Sequence, residues 1–544
     1  MRSYFLASCL ALAACGGGAA DSPGGGGGGV SFGGAQDIGE FRGILERGEI
    51  PGPSTLDANG FFNEHFNEPP APTCDGTLCL TPGVMIGKDW LTGGYQAALQ
   101  ISVNTNVDPT QFPRLPMKLV VVVDHSGSMA EDGRLDKVKG GLHTLIDNLQ
   151  AEDRLAIVSF DDVVTLDAPF SSTSTLDRAQ LHAIVDTLQP RGGTNIFDGL
   201  EAGFEQLGTT LESEKQNRVI FLSDGLATVG NTSRSAITEM ATSYISRGVG
   251  LTTIGVGNEF DVDLMRGLAE RGAGNFYFVE DATAANEVFT EELDYFMQPL
   301  ALDLRIEATA STGWNFGEVI GTRLWSSNQS NGSMQVPAVF FASRTSQGGE
   351  QGRRGGGSML FIQLLPSAHE AGDIASLTMT YRLPDSSQEV RQTLNVSYDR
   401  DPQEILEQPY LSYPQMAERY AMYNMFLGLR QATSYAESNY NCASASLGAL
   451  RANAAPWSAA HEADLDLAAD LQLVDMFQSN LSSKGASSET ALATCPNADN
   501  PYGEPGYYGD DTYQYGCMSA GSGNASWLVL VGVGLVAVRR RRRS

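Results

Sequence analysis

Between Lys118 and Phe296 the chain alternates short β-branched runs with amphipathic stretches, and no other feature restricts its fold as strongly. Apolar runs fall at Lys118–Val123, Leu155–Phe160, Val219–Leu222 and Leu251–Val256, with a weaker one at Asn275–Val279. Helix-period segments separate them at Leu135–Leu149, Leu176–Leu188, Ile196–Leu207, Ser235–Arg247, Asp261–Arg271 and Ala285–Phe296. Strands buried on both faces read as near-continuous apolar runs, and runs that alternate with helices imply a doubly wound, mostly parallel α/β sheet. Residues 116–298 are assigned to this unit.

Beyond Pro299 the period changes to that of antiparallel strands. Leu302–Ala308, Pro337–Ala342, Ser358–Leu364, Ser376–Leu383 and Val390–Val396 are joined by Gly- and Ser-rich loops, and Asp385-Ser-Ser sits in a hairpin turn. Residues 299–400 therefore read as a β-sandwich. The segment 37–115 begins with a mixed helical stretch (Asp37 to Phe66) and carries a strand near Gln96 that would complete the sandwich, making the α/β unit an insertion in it. Helical spacing returns in 401–496, over Gln415–Ala436 and His461–Leu481. An acidic Tyr-, Gly- and Pro-rich linker fills 497–519.

The two ends read as addresses. Residues 1–15 (MRSYFLASCLALAAC) have the layout of a secretory signal peptide, too short to span a bilayer alone. Their ending, Leu12-Ala13-Ala14-Cys15, is similar to a bacterial lipobox, which implies lipidation of Cys15. Residues 16–36 follow as a glycine-rich tether that cannot pack. Residues 520–544 hold the apolar run Trp527–Val538 followed by five arginines, which favours a cytoplasmic C-terminus. With Gly516-Cys517 just upstream, this end resembles the cysteine-containing sorting tails of myxobacterial surface proteins; a plain stop-transfer anchor is the rival reading. Either way the body lies outside the cytoplasm, anchored to the membrane at the outer membrane or cell surface.

Charge and cysteines agree. The chain of 544 residues carries net charge −29, and setting aside the six terminal arginines leaves a body near −35. Such a body repels nucleic acid and anionic lipid, so its natural counterpart is a cation. Apart from Cys9, Cys15 and Cys517 there remain Cys74, Cys79, Cys442 and Cys495, an even number suited to an oxidising compartment. The short loop between Cys74 and Cys79 favours a local pair, leaving Cys442 with Cys495 to tie the helical end.

The first apolar run ends in Asp124-His125-Ser126-Gly127-Ser128, a D-x-S-x-S sequence directly after a buried strand. In an open α/β sheet, ligands bind beyond the carboxyl ends of the strands. A turn there can aim one carboxylate and two hydroxyls at a single point, and hard oxygen ligands suit Mg²⁺. Alone the pattern is weak, because Asp and Ser after a strand commonly cap a helix. Gly192-Gly193-Thr194-Asn195, before a helix, adds a hydroxyl; Leu222-Ser223-Asp224-Gly225, after a strand, adds a carboxylate. This set resembles the von Willebrand factor A family, whose metal-ion-dependent adhesion site uses D-x-S-x-S, Thr and Asp. The resemblance implies Asp124, Ser126, Ser128, Thr194 and Asp224 as ligands of Mg²⁺, with Mn²⁺ or Ca²⁺ as substitutes. It also implies an open coordination position for an Asp or Glu carboxylate of a protein partner. The flanking architecture resembles bacterial von Willebrand A lipoproteins.

Enzyme signatures are absent: there is no H-E-x-x-H, G-x-S-x-G or P-loop pattern. His125 reads as a solvated variable residue, Asp161-Asp162 as an exposed loop, and Glu280-Asp281 as a helix cap. Two functions compete. One is an envelope-anchored adhesion or protein-binding module; the other is a periplasmic or outer-membrane assembly factor that uses the same site. Metal-assisted hydrolysis is a distant third.

Overall fold

The computed structural model describes residues 28–498 apart from 66–69, 109–114, 171–176, 209–210, 213–214, 258–259, 280–287, 290–298, 343–356, 368–370, 385–387, 400–407, 462–463 and 488. Expectations for Cys15, Cys517, the signal peptide, residues 16–27, the rest of the linker and the C-terminal tail lie outside these residues. So do Glu280-Asp281 and the helix expected at Ala285–Phe296, except Val288 and Phe289.

The N-terminal part supplies β1 (Gly28–Ser31), β2 (Gly34–Ala35), α1 (Gly39–Glu46), α2 (Ala58–Asn63), β3 (Cys79–Lys88) and β4 (Tyr95–Thr105). The central part runs β5 (Met117–Asp124), α3 (Arg134–Asn148), β6 (Arg154–Phe160), β7 (Val164–Ala168), α4 (Arg178–Thr187) and α5 (Ile196–Leu207). It continues through β8 (Gln216–Ser223), α6 (Arg234–Ile245), β9 (Gly250–Val256), α7 (Val262–Arg271) and β10 (Asn275–Val279). Then come β11 (Ala301–Ala310), β12 (Trp314–Ile320), β13 (Ser326–Ser327), β14 (Asn331–Phe341), β15 (Met359–Pro366), β16 (Gly372–Arg382), β17 (Glu389–Tyr398) and β18 (Tyr410–Leu411). Helices α8 (Met416–Ala436), α9 (Tyr440–Ala460) and α10 (Leu465–Ser483) follow.

The central sheet has the order β2-β10-β9-β8-β5-β6-β7, parallel except for β7 at one edge. Strand β5 shows why the run is apolar throughout. Leu119, Val121 and Val123 face the core shared with α3 and α4, while Val120 and Val122 face that of α5, α6 and α7. Helix α5 lies unusually close to the sheet: a Cβ at Gly199 would collide with the Phe160 ring, and one at Gly203 with Val122. Its N-cap, Asn195, accepts a hydrogen bond from Asp198 N (3.3 Å), which fixes where the preceding Thr194 sits.

The antiparallel strands form two layers around one apolar core. One layer runs β14-β11-β16-β17; the other contains β3, β4, β15 and β12. Strand β4 is the one expected near Gln96, and the chain leaves the sandwich at Thr105 and returns at Ala301, so the α/β unit is inserted in it. Seven strands escaped the pattern reading (β1, β2, β3, β7, β12, β13 and β18), and three of them show why. β3 is interrupted by Pro82, Gly83 and Gly87, and β7 is short with Val163 and Leu166 exposed beside and within it. The third, β1, corrects the tether expected at 16–36: its C-terminal part is built into the fold. β1 pairs with both β14 and β4, which joins the two layers, and Val30 is fully buried. Directly after it, Gly34 N donates to Gly274 O (2.9 Å) and β2 extends the parallel sheet beside β10. Gly33, at φ +86°, packs so closely on Gly274 that a Cβ would strike its carbonyl oxygen. The glycines there permit backbone approach rather than looseness.

Helices α1 and α2 join α8, α9 and α10 in a third core. Helix α9 lies between the two helical stretches read from sequence; its Ala, Ser, Gly and Pro456 content obscures the apolar period. Disulfides link Cys74 to Cys79 and Cys442 to Cys495. His65, just past α2, sits between Phe61 O (2.7 Å) and Asp470 Oδ2 of α10 (2.9 Å). Burial alone would lower the imidazole pKa, but the charge and hydrogen bond of Asp470 outweigh it and raise it to about 9. Asp470 is itself pushed up by burial, against the lowering pull of His65.

Two expectations follow from these links. The Cys442–Cys495 bridge closes 53 residues and the Cys74–Cys79 bridge only 5. Loop-closure entropy then assigns about 4 and about 2 kcal/mol respectively. In chemical denaturation, Cys442→Ala with Cys495→Ala should therefore cost more than Cys74→Ala with Cys79→Ala. Because the folded pKa of His65 is raised from 6.5 to about 9, its contribution is complete below pH 6.5 and disappears as pH climbs through about 9. The melting-temperature gap between wild type and His65→Gln should shrink from pH 6 to pH 10.

Candidate metal centre

Strand β5 is the branching strand of the central sheet, with β6 on one side and β8 on the other. Connections diverge beyond its carboxyl end, which opens the crevice where open α/β sheets bind ligands. Asp124 closes that end and is fully buried. Its Oδ1 accepts from Ser126 N (2.8 Å) and its Oδ2 from the Ser223 hydroxyl (2.6 Å). Burial pushes the Asp124 carboxyl up to about 6; the bonds from Ser223 and Ser126 pull against this, and the charge of Asp224 adds to the rise.

Ser126 precedes a short 3₁₀ turn, Gly127–Gly133, and Ser128 lies within it. Ser126 Oγ lies 3.2 Å from Ser128 Oγ, and Ser128 Oγ donates to Asp224 Oδ1 at 2.8 Å. The loop carrying Thr194 is stitched to the first by Gly127 N donating to Gly192 O (3.1 Å). It is stitched to the loop after β8 by Thr228 Oγ1, which accepts from Thr194 N at 2.9 Å. A methyl group placed on Gly225 would stand 3.5 Å from Thr194 Oγ1 and 3.8 Å from Ser128 Oγ. The structure thus brings together all five side chains singled out in the sequence, from three loops spread over 100 residues. The Thr194 hydroxyl makes no hydrogen bond among the described residues.

Three hydroxyls and two carboxylates are all hard oxygen donors, and the set fits a divalent cation such as Mg²⁺. Among the described residues no three His, Cys, Asp or Glu side chains converge in the manner of a zinc site.

Two participants were not read from sequence. Ser223 stood inside the quoted Leu222-Ser223-Asp224-Gly225 segment, where its position before the carboxylate was the signal. Arg134, buried at the start of α3, donates from Nη1 to Asp224 Oδ2 (2.9 Å) and had no local signal, since the contact spans 90 residues. Two readings need correction. His125 is not solvated: it is 4% exposed, and its Nδ1 lies 2.9 Å from Gln189 O. Its Nε2 lies 4.0 Å from Asp161 Oδ2. In the Asp161-Asp162 pair only Asp162 is exposed. Asp161 is buried and accepts from Val163 N (2.7 Å) and from Arg191. These bonds outweigh burial and hold its carboxyl below the usual range. Asp162 Oδ1 accepts from Gly193 N (2.5 Å), bracing the loop before Thr194.

Part of the chain is similar to known proteins. The von Willebrand factor type A domain model matches residues 118–291. Uncharacterized protein YfbK of Escherichia coli is 29% identical over 197 residues, 36% of this chain and 34% of that protein. Inter-alpha-trypsin inhibitor heavy chain H3 of Homo sapiens is 28% identical over 194 residues, 34% of this chain and 22% of that protein. The matches thus span less than half the length of these curated relatives. Among solved structures, a von Willebrand factor type A protein from Catenulispora acidiphila is 14% identical with a TM-score of 0.47, over 72% of this chain and 89% of that one. With its doubly wound sheet and its loops gathered at the end of β5, the segment 118–291 is a von Willebrand factor type A domain.

Proposed function

We propose that this is a cell-envelope protein that grips a protein partner through a divalent cation held by Asp124, Ser126, Ser128, Thr194 and Asp224. The observation that carries the reading is the convergence of these five oxygen-bearing side chains at one end of β5. When bound, the ion supplies Lewis-acid positions for a partner's Asp or Glu carboxylate. Mg²⁺ is the ion this donor set favours, with Mn²⁺ and Ca²⁺ as substitutes.

The chain's own residues prepare the site. Ser223 and the Ser126 amide fix both oxygens of Asp124, so the carboxylate does not reorient when the site fills. Ser128 and Arg134 do the same for Asp224. Thr194 keeps its hydroxyl free for the ion. Leu226, 53% exposed, follows the Asp224 loop, and Val163, 61% exposed, follows Asp162. We read the domain as a binding module and not an enzyme.

An address outside the cytoplasm rests on the lipobox-like Cys15 segment and the tail after Cys517. Two disulfides support an oxidising compartment. Among the described residues no helix is long and apolar enough to cross a membrane, so anchoring is assigned to the ends.

Magnesium or manganese at 100-fold over its Kd should stabilise the domain by about 2.7 kcal/mol. A melt should show this as a rise of a few degrees that a chelator reverses. Asp124→Asn should fold, by circular dichroism, yet lose the rise. A wild-type melt indifferent to both metals would overturn the metal assignment. Protease added to intact cells should cleave the domain; protection there would instead place it in the periplasm and favour the assembly role.

A further inference from the structure

On the face of the sheet opposite α5, helices α3 and α4 pack side by side, and each carries a His followed four residues later by an Asp. The pairs are His143 with Asp147, and His182 with Asp186. Spacing of four puts each pair on one helix face, but the contacts are crossed. His143 Nε2 lies 3.2 Å from Asp186 Oδ1, and His182 Nε2 lies 3.0 Å from Asp147 Oδ1. The two rings face each other with centroids 4.8 Å apart and planes inclined by 37°. Their Nδ1 atoms are only 2.6 Å apart.

Each carboxylate accepts a hydrogen bond and so places a proton on the Nε2 it faces. A neutral ring protonated at Nε2 presents a bare lone pair at Nδ1. Two such lone pairs cannot stand 2.6 Å apart unless something electrophilic lies between them. A shared proton is one such species and a metal ion is the other. Carboxylate behind imidazole is also the arrangement that orients and strengthens metal-bound histidines. Two cations nearby bond backbone carbonyls: Lys139 donates to Asp186 O (3.2 Å) and Arg178 to Ile146 O (3.2 Å).

We propose that His143 and His182 form a second metal site that takes a borderline divalent transition ion (Zn²⁺, Ni²⁺ or Cu²⁺) through their paired Nδ1 atoms. Imidazole suits these ions, whereas Mg²⁺ and Ca²⁺ prefer oxygen. Zinc–nitrogen bonds of about 2.0–2.1 Å at a tetrahedral angle need the nitrogens about 3.3 Å apart. Separating the rings by less than about 1 Å meets this, and both are partly exposed at 31% and 28%. Asp147 and Asp186 back the rings instead of converging with them, so water completes the coordination. The site shares no residue with the loops at the end of β5 and stands whether or not those bind metal.

The test is calorimetric titration of the full chain with Zn²⁺ or Ni²⁺ in saturating Mg²⁺, together with electron paramagnetic resonance of the Cu²⁺-loaded protein. Wild type should take up one equivalent more than His143→Gln with His182→Gln, and the Cu²⁺ spectrum should show coupling to two imidazole nitrogens. Asp147→Asn with Asp186→Asn should keep the equivalent but weaken it about 10–100-fold. Asp124→Asn should leave it unchanged. Equal uptake by wild type and the double histidine variant, both folded by circular dichroism, would overturn the proposal and leave a shared proton between the rings.

Discussion

Burial of the Asp124 carboxylate at the end of β5 is the constraint around which the rest of the domain is arranged. The strand is sandwiched between two helical layers and flanked by parallel neighbours, so its side chains from Leu119 to Asp124 are buried. A carboxylate placed there is costly unless hydrogen bonds or a cation compensate. Ser126 and Ser223 supply the hydrogen bonds from two different loops. Those loops therefore cannot move independently, and Thr194 and Asp224 are brought in with them. Packing of the sheet dictates where the carboxylate lies, and the carboxylate in turn gathers the loops.

The sandwich and the helices hold this domain from several sides. The inserted unit is tied through its two connections, Thr105 and Ala301, and again through β1 and β2, which run from the sandwich onto the sheet edge. At the same edge, Arg266 of α7 is buried and pairs with Asp57 (3.1 Å) and Asp263 (3.1 Å), while its Nη2 donates to Ser54 O (2.8 Å). Arg323, between β12 and β13, reaches the same Asp263 at 3.1 Å, and Thr322 donates to Glu270 (2.7 Å). Burial alone would raise the Asp263 carboxyl, but Arg266 and Arg323 prevail and hold it low. Partly buried, shared ion pairs of this kind fix orientation more than they add stability. A pull on the chain at Gly28 would thus reach the α/β sheet through the backbone pairing of β2.

What the sequence disclosed follows from periodicity. Five apolar runs between Lys118 and Val279 became five parallel strands, and Ile196–Leu207 has the bounds read from its pattern, because burial on both faces leaves an unmistakable composition. The cluster of five oxygen-bearing side chains was legible for a related reason: Asp124, Thr194 and Asp224 each sit where a strand or helix begins or ends. Elements built on backbone contact were not legible. β1 and β2 are nearly all glycine and serine, and only Gly274, 241 residues beyond Gly33, explains them. Arg134 and the inward turn of His125 were hidden likewise, because their partners, Asp224 and the Gln189 carbonyl, are neighbours only after folding. The crossed histidines left a trace, His-x-x-x-Asp on two helices, but nothing local says that those helices touch.

Arg134 also bears on the charge of the proposed centre. Among the groups that shift the Asp124 carboxyl, none is cationic, so its charge stands uncompensated. Asp224 is matched at 2.9 Å by the Arg134 guanidinium. Arg134 Nη2 also lies 3.3 Å from Glu131 of the same turn, so its charge is shared. On the proposed reading, a guanidinium against Asp224 lowers the negative charge that opposes an incoming carboxylate.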